Sequence, residues 1–113
     1  MICFMNDSPK FYAVVELNGK KIATVKAQTH NDTAEIQERC FKRRGETFDV
    51  NIEKMNIIRI RQALTGDPKV GWESDKSVTE DNISMLSPET YNAILLKIQE
   101  LDKSWQDKDL EKN

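Results

Sequence analysis

Histidine is nearly absent from this chain: there is one, His30, among 113 residues, with only two cysteines, three prolines and four glycines. Nucleophilic and acid–base enzymes tune one titratable group with another, and histidine is the usual tuner. His30 could serve Cys40 as a base, but the two are ten residues apart, about 15 Å along a helix, which is beyond contact. One histidine and the distant Cys3 and Cys40 match no zinc spacing, and they form no disulfide framework; they read as reduced thiols. The acidic clusters Asp107-Asp109-Glu111 and Glu80-Asp81 lack the glycine and alternation of a calcium loop. The four glycines stand singly at turns, so neither a phosphate-cradling loop nor a nucleophile elbow is expected. These absences disfavour an enzyme, and no cofactor or metal is expected. Met1-Ile2-Cys3-Phe4-Met5 is apolar but short and without a basic flank, and no run approaches about 18 apolar residues. Neither a signal peptide nor a membrane span is expected, and a cytoplasmic location is.

What is present suits one α+β domain at residues 11–105, between a flexible arm at 1–10 and a frayed charged tail at 106–113. A chain of 113 residues can bury a modest core but not enclose a large interdomain cleft. The net charge of −2 is unevenly divided, with residues 10–63 carrying +4 and residues 64–113 carrying −5. Such a split can orient one copy against another, and it is also common on monomers.

Phe11–Leu17 and Lys20–Ala27 flank Asn18-Gly19, the dipeptide best suited to the positive φ angles of a type I′ turn. Pairing Leu17 with Lys20 sets Glu16 against Lys21, Val15 against Ile22, Val14 against Ala23 and Tyr12 against Val25. Asn31 or Asp32 can cap a helix running toward Arg44, with Ile36, Cys40 and Phe41 buried and Gly45 as its stop. A third element that begins near Asn51 and ends before Gly66 spreads its apolar residues widely, which favours a central helix, although Ile52, Ile57, Ile58 and Ile60 also admit a strand. Residues 65–77 read as a loop around Gly66-Asp67-Pro68, interrupted by Trp72, which either folds back as a lid on the core or awaits a partner. Thr79 can cap a short helix through Met85.

The last helix is the most legible element. Ser87 is its expected N-cap, Pro88 its first residue, and Leu86 with Tyr91 a hydrophobic staple. Tyr91, Ile94, Leu95, Ile98, Leu101 and Trp105 recur at three- and four-residue steps on one face. That stripe completes the core or lies in a partner's groove. The expected fold is therefore an N-terminal β-hairpin packed on three to four α-helices. Arg39, Lys42, Arg43 and Arg44, with Lys20, Lys21 and Lys26 on the hairpin, make the best case for nucleic acid. The sequence pI near 5.5 and the lack of a reading motif disfavour it.

The ribbon Val14-Val15-Glu16-Leu17-Asn18-Gly19-Lys20, a basic helix, and a helix ending Ala63-Leu64 ahead of Gly71-Trp72 are followed by Val78-Thr79-Glu80-Asp81-Asn82-Ile83 and Leu86-Ser87-Pro88-Glu89. This order of elements, across most of residues 11–105, resembles the tail assembly chaperones of long-tailed bacteriophages and related prophages. The resemblance implies a cytoplasmic, non-enzymatic protein of the bacterial host that coats the helical tape measure protein before the tail tube forms, and that self-associates. It carries over no catalytic residue. Amphipathicity nominates Ile94, Ile98, Leu101 and Trp105 as contacts for a tape measure or other amphipathic helical client, with Trp72 as a lid. The rival readings are a small nucleic-acid-binding regulator and a phage-encoded inhibitor of a host protein.

Overall fold

The computed structural model describes residues 11–111, without the side chains of Arg44, Phe48 and residues 105–111. The expected arm at 1–10, including Cys3, lies outside the described residues. Strands β1 (Tyr12–Leu17) and β2 (Lys20–Lys26) form the expected hairpin. Asn18 and Gly19 carry φ values of 56° and 78°, the left-handed pair that a type I′ turn demands.

Leu17 faces Lys20 and Glu16 faces Lys21, as the pattern indicates, but an irregularity between Val15 and Glu16 then shifts the register. Val15 pairs with Ala23, Val14 with Thr24, Ala13 with Val25 and Tyr12 with Lys26, which corrects three of the expected pairings. The reason is the face of the sheet. Without the shift, buried Val15 would share its face with Ile22 and Thr24, while buried Ala23 and Val25 would point the other way. One extra residue on β2 brings Val15, Ala23 and Val25 onto one interior face.

Helix α1 (His30–Cys40) starts two or three residues earlier than expected. Thr29, not Asn31 or Asp32, is its N-cap: Asp32 N donates to Thr29 Oγ1 at 3.2 Å, and Thr29 N donates to Asp32 Oδ2 at 3.1 Å. This reciprocal capping box satisfies two otherwise orphaned donors. The helix also stops earlier. Phe41 is extended, and the expected run to Arg44 is instead β3 (Phe41–Arg44), paired antiparallel with β4 (Thr47–Val50). Gly45, at φ 60°, turns a hairpin rather than ending a helix. Pairing sets Lys42 opposite Asp49 and Phe41 opposite Val50, which are favourable cross-strand neighbours.

Helix α2 (Ile52–Leu64) follows, capped by Asn51 Oδ1, which accepts from Lys54 N at 3.0 Å. It is the central helix anticipated from its broad apolar spread. Ile60, Ala63 and Leu64 enter the main core, and Ile58 joins a smaller cluster with Ile36 and Cys40. The segment expected as loop contains a short strand, β5 (Gly71–Trp72), which adds to β2 with Trp72 opposite Ala23. The three-stranded sheet therefore has the order β1-β2-β5. Tyr12 Oη donates to Asp67 Oδ2, tying the preceding turn to β1; this bond holds the Tyr12 hydroxyl pKa above its ordinary value and that of Asp67 below it.

Thr79 caps helix α3 (Glu80–Ser84), and Ser87 caps helix α4 (Pro88–Glu111) through its Oγ, which accepts from Thr90 N at 3.3 Å. Helix α4 continues to Glu111, so its backbone is helical where fraying beyond Trp105 was expected. Gln106, Lys108, Leu110 and Glu111 are all good helix formers, enough to extend a helix already nucleated by packing. Leu86 and Tyr91 rest on the main core, as a staple should. That core joins Val15, Ala23, Val25 and Ala27 of the hairpin region to Ile60, Ala63 and Leu64 of α2, Ile83 of α3, and Ile94, Ile98 and Leu101 of α4. The result is the expected α+β fold, an N-terminal hairpin packed on four helices. Among the described residues, no helix is long and apolar enough to cross a membrane.

Candidate binding cleft

The stripe nominated for client contact is spent inside the domain. Ile94, Ile98 and Leu101, nominated as client contacts, are buried against the sheet and α2, the core alternative for the stripe. The spacing that marks a helix face is the same whether a partner or the chain's own sheet covers it. Trp72 is half-buried against the core, with Nε1 donating to Lys76 O at 2.7 Å, so it folds back in the manner of a lid. The Trp105 side chain lies outside the described residues. His30 is exposed in the first turn of α1, and Cys40 is a buried free thiol of the smaller cluster.

The structure opens a different surface. A cleft of about 280 Å³ lies between α1, the start of β3, α2 and α4. Its apolar wall is Ile36, Phe41, Met55, Leu95 and Ile98. Its polar wall combines Gln28, Thr33, Gln37, Asn56 and Gln99 with the pair Arg59 and Asp102. Phe41 remains partly exposed, and Val50, paired opposite it on β4, is exposed too.

Arg59 lies in the run Ile57-Ile58-Arg59-Ile60, so α2 carries it inward with its neighbours. Its Nε donates to Asp102 Oδ2 at 3.0 Å, and its Nη2 donates to Asp102 Oδ1 at 2.8 Å and to Lys26 O at 3.3 Å. Gln28 N also donates to Asp102 Oδ1, at 2.9 Å. The pair joins α2, α4 and the end of β2 with little water access: the side chains are 8 % and 19 % exposed. Arg59 Nη1 is buried with no acceptor among the described residues. A buried donor left in that state costs about 1–3 kcal/mol.

A second polar cluster lies on the other side of α2. Arg39 of α1 donates to Glu80 of α3 from both terminal nitrogens, at 2.8 and 3.1 Å, and to Glu35 at 3.3 Å. Arg61 joins both acids, and Gln62 Nε2 donates to Glu35 Oε1 and to Asp32 O, each at 2.9 Å. Hydrogen bonding from Gln62, with Arg61 adding to it against the opposing effect of burial, holds the Glu35 carboxyl below its ordinary range. The Arg39 guanidinium does the same for Glu80. Arg39 is thereby removed from the basic group proposed for nucleic acid, and Lys26 lies 3.8 Å from Asp32. Lys42 and Arg43 stand on the second hairpin rather than on a helix.

Among the described residues, no three His, Cys, Asp or Glu side chains gather as metal ligands. Neither Arg59 nor Asp102 was singled out in the sequence. The available signal was a charge of each sign beside an apolar stripe residue, Arg59 within the isoleucines and Asp102 next to Leu101. No family model, curated protein or solved structure matches the chain.

Proposed function

We propose that this protein is a non-enzymatic chaperone of the phage tail assembly type, which shields an amphipathic helical client such as a tape measure protein. The observation that carries the reading is the partly apolar cleft bounded by α1, α2 and α4, with Phe41 and Val50 uncovered beside it. A long amphipathic client exposes apolar side chains along its length, and many copies of a small domain can cover them at once. The client surface is then the cleft, to which the α4 stripe contributes Leu95 and Ile98, and the face of the second hairpin. Engagement of Arg39 and Lys26 with acidic partners favours this over nucleic-acid binding.

Co-expression with a candidate tape measure chain, followed by light scattering, tests the proposal. The expected result is a soluble complex of many copies on a client that aggregates alone, lost on Phe41→Asp. A wild-type protein that leaves the client aggregated overturns it. Salt-sensitive binding of a DNA or RNA duplex in its place would establish the rival reading.

A further inference from the structure

We infer that the outer edge of β1 is a dimer interface: two copies of this chain pair antiparallel about a two-fold axis at Val14 and join their three-stranded sheets into one of six.

The sheet order β1-β2-β5 leaves β1 at one edge and β5 at the other. Ala27 N donates to Phe11 O at 2.8 Å, which makes Phe11 and Ala27 a hydrogen-bonded pair of the ladder. Such pairs alternate along a strand, so Ala13 and Val15 also turn their main-chain groups toward Val25 and Ala23. Tyr12, Val14 and Glu16 then turn their N–H and C=O groups outward, where no strand pairs with them among the described residues. An open edge is a template for another chain, and proteins blunt it with proline, lysine, a bulge or shortness. Strand β5 is two residues long, and β3 carries Lys42 and Arg43. Strand β1 runs for six residues with neither proline nor lysine, and the extra residue of the irregularity falls on β2. Val14, at its centre, is 45 % exposed.

The occupant follows from the register. With Val14 opposite Val14 of the second copy, Tyr12 lies opposite Glu16 and Glu16 opposite Tyr12. Each of these three pairs exchanges two main-chain hydrogen bonds, so every outward group of the edge is satisfied. Ala13 meets Val15 of the second copy on the interior face, and the face that α4 covers continues across the axis. The two Glu16 carboxylates fall at opposite ends of the pairing, so no like charges meet. An axis at Val15 would instead set Tyr12 against Asn18, in the left-handed turn, and forfeit a bonded pair. The strand thus complements itself, as a two-fold interface requires. No residue of β1 lines the cleft, so each dimer presents two clefts to a client.

Light scattering of the full chain without client, across concentration, tests this together with amide hydrogen exchange. The expected mass is twice 13.1 kDa, with the Tyr12, Val14 and Glu16 amides protected from exchange. Val14→Lys and Val14→Glu each set like charges on the axis at an exposed position. Each should keep the wild-type circular dichroism, weaken dimerisation at least about ten-fold and release those three amides. Mixed in equal amounts, the two variants should pair with each other and restore the dimer.

A wild-type chain that stays monomeric up to about 1 mM overturns the inference. So does an oligomer that survives both charged variants, or one whose three outward amides exchange freely, because it is held elsewhere. Protection that arises only when a client is added gives the edge to a client strand and likewise overturns it. The chaperone reading can fail without altering the mass or the exchange measured without client, and these can fail without altering that reading.

Discussion

Asp102→Ala is the sharpest perturbation available, because one carboxylate neutralises Arg59 and also accepts the Gln28 amide. Its removal strands a guanidinium that is 8 % exposed. Breaking a buried ion pair from one side costs about 3–5 kcal/mol, and the 19 % exposure of Asp102 sets the expectation near the lower end, about 3 kcal/mol. A domain of this size has about 5–15 kcal/mol in all, so the variant folds with a melting temperature lowered by about 12 °C. Urea titration followed by far-UV circular dichroism measures the loss, which should appear as a shifted midpoint at unchanged slope. Arg59→Met with Asp102→Leu removes both charges at similar volume. That pair should cost only about 1 kcal/mol, the remainder being the Gln28 amide left without its acceptor. A loss under about 1 kcal/mol for Asp102→Ala, or a double variant as unstable as the two single variants added together, would refute the argument that Arg59 depends on this carboxylate.

Other outcomes follow from the same geometry. Ile98→Ala, at a fully buried position of α4, should cost about 2–5 kcal/mol by urea titration, whereas a mainly partner-facing Ile98 would lose far less. Gly19→Ala, at φ 78° with open space around the added methyl, should cost about 1 kcal/mol through backbone strain alone, read as a lower urea midpoint. Glu35 and Glu80 have folded pKa values depressed below about 4.5, so their stabilisation is fully present above that pH and is lost as pH falls through the folded values. Stability measured from pH 6 to pH 2 should therefore fall on the acid side. Glu80→Gln should flatten that fall, and an unchanged profile would count against the Arg39–Glu80 pairing. Thr29→Ala should cost about 0.5–2 kcal/mol by breaking the α1 capping box, again as a shift in urea midpoint.

The candidate site was much less legible in the sequence than the fold. The stripe Ile94, Ile98, Leu101 was correctly seen as one helix face, but amphipathic spacing cannot say what covers the face. The cleft depends on Arg59 and Asp102, which meet only because α2 and α4 cross beside the end of β2. Nothing within a few residues of either one foretells the other.

By itself the sequence determined the features that short-range sterics and capping decide: the Asn18-Gly19 turn, the Thr79 and Ser87 caps and Pro88 at the head of α4. Each rests on φ preferences or hydrogen bonds spanning a few residues, so no distant partner is needed to choose it. Tertiary structure decided the rest. The register shift after Val15 follows from which sheet face meets α2 and α4, and the two-residue strand at Trp72 exists because β2 offers an open edge. Helix α1 ends at Cys40 because Phe41–Arg44 pairs with Thr47–Val50, a competition that the basic residues alone do not reveal. In each case the local sequence allows more than one conformation, and contacts made by residues far along the chain select among them.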